Sequence, residues 1–172
     1  MTPDGRRITP RVGPLPRLGE RPGARTAAKL ADDDLRRPAT LDRSSAFDTI
    51  RHLVDVNWSW RQLCIGNHVG ETYVWEHGFP LDDVTALRTF SWEEDARLRA
   101  YVKSLEQGAL DEPLGMSEDT GDGIPRWLIL AHVVNHGTTH RSELARFLTE
   151  HGHSPGDLDL LDALTLPWPE AP

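Results

Sequence analysis

The sequence predicts an all-α fold, a helical bundle, and three features indicate it. Residues 45–65, 91–107 and 125–151 carry apolar side chains at the spacing of an amphipathic helix. Each segment begins at a helix-start signal, either a capping-box pair or a proline at the first helical position. The first and the third also end at a glycine. With 172 residues, the chain is long enough for one domain with a substantial core.

Residues 1–23 are predicted to be an irregular or disordered arm, and residues 24–172 the folded domain. The arm contains five prolines and four glycines and has no apolar period. Its five arginines exceed its two acidic residues, so it is basic. Contact with nucleic acid and a transit peptide are two alternatives for such an arm. Charges spread among prolines are more typical of a solvated tail.

The first two predicted helices differ in length. Residues 24–36 have fair helix propensity but few apolar positions, so they predict a short helix that ends before Pro38. Ser45 and Asp48 are in capping-box register and predict a helix to about Ile65. One stripe of this helix carries His52 among mostly polar residues. From the helix alone we expect this stripe to face water; the alternative is that it lines a polar cavity.

Residues 66–90 are predicted to be an irregular connection with short elements, in which His68 and His77 are exposed. A second capping box, from Ser91 to Glu94, predicts a helix to about Gln107. We expect its inward face to consist of Trp92, Leu98, Tyr101, Val102 and Leu105. Residues 111–123 are predicted to be a polar loop, with a short hairpin as an alternative. Residues 158–164 are predicted to pack as a short helix near the end of the chain.

The principal helix is predicted from Pro125 to near His151, and it carries three histidines at intervals of four. In a helix each step of four advances a side chain by about 40° and roughly 6 Å, so His132, His136 and His140 share one stripe. Apolar residues on the same stripe indicate that it points inward; these are Ile129, Val133, Leu144 and Phe147. Two histidines four residues apart can hold one metal ion from one side but cannot complete a site.

Composition limits the classes of partner and compartment. The chain has 19 Lys and Arg against 27 Asp and Glu, a formal net charge of −8. This balance argues against a general nucleic-acid binder or a membrane-surface binder. A single cysteine, Cys64, excludes an internal disulfide and fits a reducing compartment. No apolar run approaches the ~20 residues needed to span a bilayer, so we expect a soluble cytoplasmic protein.

Two motifs resemble the DinB family, a superfamily of metal-dependent four-helix bundles distinct from the DNA polymerase of that name. They are His52-Leu-Val-Asp55-Val-Asn-Trp58 and His132-Val-Val-Asn-His136-Gly-Thr-Thr-His140-Arg141. The resemblance covers roughly residues 27–165. It implies that His52, His136 and His140 bind one divalent ion, zinc or nickel by imidazole preference. The stripe of His52 would then line the cavity. His132, one turn earlier, is predicted to be a hydrogen-bonded core histidine.

The sequence departs from that family at two places. The first helix is shortened or missing and the proline-rich arm takes its place, so either the site is more open or the protein depends on a partner subunit, such as a homodimer. Glu143 stands where relatives often carry Gln, on the cavity face of the helix. It is predicted to accept an imidazole N–H, to act as a general base, or to pair on the surface with Arg146 or Arg141. Arg141 is predicted either to order the bundle edge or to bind an anionic substrate group.

Two classes of function follow from the resemblance. The first is a metal-dependent enzyme in which the ion activates a water or a thiol toward a small-molecule substrate. Characterised relatives act with low-molecular-weight thiols as S-transferases or isomerases, and others are described as hydrolases. The second class is a non-catalytic, metal-stabilised helical bundle. A fourth protein ligand would indicate a structural site, whereas an exchangeable ligand beside a pocket would indicate an enzyme.

Overall fold

A computed structural model describes residues 32–39, 41–79, 81–115 and 123–156 of the chain. It confirms the all-α class. The helices are α1 (Asp32–Arg36), α2 (Ala46–Cys64), α3 (Val84–Ser104) and α4 (Arg126–Glu150). The N-terminal arm, the first part of the predicted short helix and the predicted helix at 158–164 lie outside the described residues.

Helix α2 is the central element, because it packs against α1, α3, α4 and a short 3-10 helix at Val74–His77. One continuous core joins these elements, and it includes Phe47, Trp58, Leu87, Phe147 and Leu148. All five of these side chains are at most 4 % exposed. Burial of this apolar surface is the main source of stability for the bundle.

Helix α2 begins and ends as the sequence predicted. The Ser45 hydroxyl accepts a hydrogen bond from the backbone N–H of Asp48 at 3.1 Å, as an N-cap residue does. The prediction from the helix alone that its polar stripe faces water is wrong, since Thr49 is 0 % and Asp55 6 % exposed. The Asp55 carboxylate is satisfied internally because it accepts the N–H of Val74 at 2.7 Å. Burial raises the pKa of Asp55.

The N-cap of helix α3 lies eight residues before the predicted one, Ser91. Its N-cap is Asp83, whose carboxylate accepts the backbone N–H of Ala86 at 2.8 Å, and it ends at Ser104 rather than near Gln107. Ser91 therefore lies inside the helix, about two turns after its start, and the predicted capping box there is wrong. The buried residues are Leu87, Phe90, Glu94 and Asp95, whereas those predicted to face inward are only partly buried. The physical reason is that Leu87 and Phe90 extend the apolar face toward the N-terminus.

A buried ion pair joins α2 to α3. The Arg61 guanidinium contacts the Glu94 carboxylate through two N–H groups, one of them Nη2 at 3.0 Å from Oε2. Their side chains are 10 % and 1 % exposed. Arg97 is a second cation beside the same carboxylate, at 3.5 Å. Because both charged groups are removed from water, the attraction between Arg61 and Glu94 has to compensate for their lost hydration.

A two-stranded hairpin positions the start of α4. Strand β1 (Pro113–Leu114) pairs antiparallel with β2 (Ile124–Pro125), so the alternative of a hairpin is confirmed, with β1 inside the predicted loop and β2 directly after it. Residues 116–122 between the strands lie outside the described residues. Gly123 is required here, because its φ is +80° and a Cβ would lie 2.9 Å from the Leu114 carbonyl oxygen. Helix α4 ends at Glu150, and Gly152 follows in the left-handed region, as predicted.

Candidate metal centre

Three histidines from two helices meet at one point between α2 and α4. One ring nitrogen from each of His52, His136 and His140 lies within 4.8 Å of the other two. The Nε2 atoms of His52 and His136 are 3.1 Å apart. The ring centroids of all three pairs lie between 4.5 and 5.1 Å apart. The residues implied by the resemblance are therefore brought together, although 84 positions separate His52 from His136 in the sequence.

The spacing of these nitrogens fits a shared ion. Two imidazole nitrogens that each bind a tetrahedral ion at about 2.0–2.1 Å are about 3.3 Å apart. The observed 3.1 Å between the Nε2 atoms of His52 and His136 is close to that value. The Nδ1 atom of His136 is buried and has no hydrogen-bond partner among the described residues. The donor set and its geometry thus suit a metal ion.

Burial disfavours the charged form of two of the three histidines, His52 and His136. The pKa of His52 is lowered to about 4, chiefly by burial and to a smaller extent by the positive charge of Arg43 and by the two other histidines. Burial, followed by the neighbouring His140 and His132, lowers the pKa of His136. Neutral imidazole is the form that binds metal, so the pKa shifts remove proton competition at neutral pH.

Glu143 orients the third histidine. Its Oε2 lies 2.8 Å from Nδ1 of His140, whose side chain is 7 % exposed. A carboxylate accepts but does not donate, so Nδ1 of His140 carries the proton and Nε2 keeps its lone pair. Of the three predictions for Glu143, the geometry favours the acceptor that holds an imidazole N–H. Arg146, one of the two arginines predicted as a surface partner of Glu143, lies 3.9 Å from Glu150.

His132 is not the core histidine that the sequence predicted. Its side chain is exposed, and its ring packs against Trp60 at 5.2 Å and His136 at 5.6 Å between centroids. The reason is geometric: two steps of four rotate the side chain by about 80°, which carries His132 out of the interior while His140 stays inside. His68 and His77 are exposed, as predicted.

Two arginines flank the site. Arg141 lies along α4, where its Nη2 donates to the Thr138 hydroxyl at 3.3 Å and its guanidinium covers Gly137. A side chain at position 137 would collide with that guanidinium, so glycine permits Arg141 to lie flat on the helix.

Arg43 was not predicted from the sequence to be a site residue. Its Nη2 is 3.0 Å from Nε2 of His52. No local pattern marks Arg43, because it lies in the bend at residues 41–44.

The described residues supply three candidate metal ligands. In these ranges, no fourth His, Cys, Asp or Glu joins the group. Three protein ligands with an unfilled position are typical of a catalytic metal site, whereas four are typical of a structural one.

Comparisons with known proteins agree with the motifs. The profile described as DinB family matches residues 23–170, which is most of the chain. A search of curated proteins gave no significant match. No helix in the described residues has the length and apolar character that crossing a membrane requires.

Proposed function

Because the chain belongs to the DinB family, we propose that it is a metal-dependent enzyme whose divalent ion is held by His52, His136 and His140. The observation that supports this best is the convergence of three imidazoles from two helices. No fourth ligand closes the group within the described part of the chain. An arrangement of this kind leaves room for a substrate or a nucleophile.

The donor set favours zinc or nickel. Three imidazoles without a carboxylate suit a borderline ion rather than magnesium or calcium, which prefer oxygen ligands. When bound, such an ion supplies Lewis-acid chemistry that lowers the pKa of a coordinated water or thiol. If the coordinated nucleophile is water, the enzyme is a hydrolase. If it is a low-molecular-weight thiol, the enzyme is an S-transferase. Both act on a small-molecule substrate, and the resemblance supports both.

The residues around the histidines have separate tasks in this proposal. Glu143 accepts the Nδ1 proton of His140 and so presents the Nε2 lone pair to the site. Burial and neighbouring charges keep His52 and His136 neutral and ready to bind. Ile129 and Val133, which are 2 % and 3 % exposed, belong to the apolar side of α4 that excludes water from the interior.

We expect the purified chain to contain about one divalent ion per molecule, because the described residues form one group of three histidines. Elemental analysis after expression, and again after reconstitution with zinc or nickel, measures this ratio. A cobalt(II)-loaded sample should change its visible spectrum when a small thiol is added, because the ion keeps an exchangeable position. Failure to take up metal would contradict the proposed function. A loaded sample whose visible spectrum does not change with thiol or small anions would indicate a structural site.

Glu143→Ala is expected to weaken metal binding by about 10–100-fold, the usual effect of removing the partner of a ligating imidazole. Glu143→Gln should lose less, because its amide oxygen still accepts the His140 proton. Competition with a chelator of known affinity measures both variants. Glu150→Ala is the control: it removes an exposed glutamate of the same helix, whose contact is Arg146 at 3.9 Å. Equal affinities for Glu143→Ala and Glu150→Ala would contradict the orienting role.

A further inference from the structure

The guanidinium of Arg43 lies against the histidine group. Its Nη2 is 3.0 Å from Nε2 of His52, and its Nε is 3.5 Å from Oδ2 of Asp42. The side chain is 45 % exposed, so it bridges the histidines and the solvent. The segment that carries it is fixed, because the Ala39 N–H donates to the Ser44 carbonyl at 3.1 Å and Pro38 forms a β-bridge with Ser45.

The contact between Arg43 and His52 uses a lone pair that a metal ion also needs. A guanidinium has only N–H donors, so Nε2 of His52 must be the acceptor in this hydrogen bond. The same Nε2 faces His136 and is the atom that His52 directs toward the centre of the group. One lone pair serves one partner at a time. Arg43 therefore has to release His52 when an ion binds.

After release, Arg43 remains next to the histidine group, because its guanidinium already lies 3.0 Å from Nε2 of His52. Its backbone is held directly ahead of α2, and the acidic residue that it contacts is the exposed Asp42. A guanidinium presents a planar fork of N–H donors that matches both oxygens of a carboxylate. The three histidines next to it carry no negative charge, so they do not compete with a ligand carboxylate for the guanidinium N–H groups.

We propose that Arg43 is a specificity-determining residue that leaves His52 to the ion and binds the carboxylate of a ligand next to the histidine group. The inference rests on the proposed metal-dependent function and adds a substrate class to it, namely small molecules that carry a carboxylate close to the reacting group.

Arg43→Met provides two measurements with opposite expected signs. Metal affinity, measured by chelator competition with zinc, should rise several-fold because a competing donor has gone. Acetate affinity of the cobalt(II)-loaded protein, measured by its visible spectrum, should fall by about tenfold or more, the size of one hydrogen-bonded charge contact. Arg43→Lys keeps the charge without the fork and should recover only part of the acetate affinity. Arg37→Met is the matched control, because its side chain is 71 % exposed and contacts Asp34.

The outcomes separate this inference from the proposed function. If the wild-type chain takes up no metal, both are overturned. If it is loaded but Arg43→Met binds acetate as well as wild type, only the role of Arg43 is overturned. Equal changes in Arg43→Met and Arg37→Met would also overturn it, since they would show a general effect of net charge. Loss of acetate binding with a gain in metal affinity, confined to Arg43→Met, supports it.

Discussion

His52→Ala, His136→Ala and His140→Ala are each expected to lose most of the bound metal, whereas His132→Ala keeps it. The three former side chains place ring nitrogens within 4.8 Å of one another, and His132 is exposed beside them. Loss of a direct ligand should weaken binding by more than the 10–100-fold typical of an outer partner. Metal content of the four variants, purified and dialysed side by side, gives the answer.

The comparison between His132→Ala and His140→Ala is the most informative one. The two residues lie on the same helix, two full turns apart, so one ion cannot bind both. An empty His132→Ala protein beside a loaded His140→Ala protein would show that the ion uses the earlier pair, His132 with His136. Helical content of each variant, followed by circular dichroism, separates loss of metal from loss of the fold.

Glu94→Ala is expected to lower the free energy of unfolding by about 3–5 kcal/mol, because it leaves the buried Arg61 guanidinium without its main partner. Urea denaturation of the purified variant measures this change. Glu93→Ala is a matched control: it removes the neighbouring glutamate of the same helix, whose pair with Arg97 is exposed on both sides. That exposed pair should contribute only about 0–1 kcal/mol.

A double replacement tests the explanation. Arg61→Met combined with Glu94→Leu removes both charges and keeps apolar volume in the core, so it should recover most of the stability that Glu94→Ala loses. A loss below about 1 kcal/mol in Glu94→Ala would contradict a desolvated pair, since that is the range of exposed pairs. A double variant no better than Glu94→Ala would indicate that packing, not charge, sets the loss.

The sequence predicted the features that depend on local spacing. Helix α2 follows from its serine cap, and the inward placement of His136 and His140 follows from the period of α4. His52 could be assigned only through the family motif, because a polar stripe on one helix does not reveal whether a neighbour covers it. Helix α3 starts earlier than predicted because Asp83 caps it and tertiary burial of Leu87 extends it toward the N-terminus.

Features that join distant segments were not visible in the sequence. Glu94 carries no local sign that it pairs with Arg61, 33 positions earlier, and Arg43 carries none that it reaches His52. The exposure of His132 also depends on tertiary structure, because His132 lies at the edge of a stripe whose residues Ile129 and Val133 are buried. Position relative to the neighbouring helix decides such cases.

The distance of 84 positions between His52 and His136 has a consequence for folding. Contacts between such distant positions form only after a long loop closes, at an entropic cost that grows with the logarithm of its length. An unfolded chain therefore offers at most the pair His136 and His140, while the third nitrogen arrives with closure of the bundle. A divalent ion that binds all three histidines more tightly than the pair stabilises the native state, by about 2.7 kcal/mol when present at 100 times its Kd. The melting temperature of this chain should accordingly depend on the concentration of the ion.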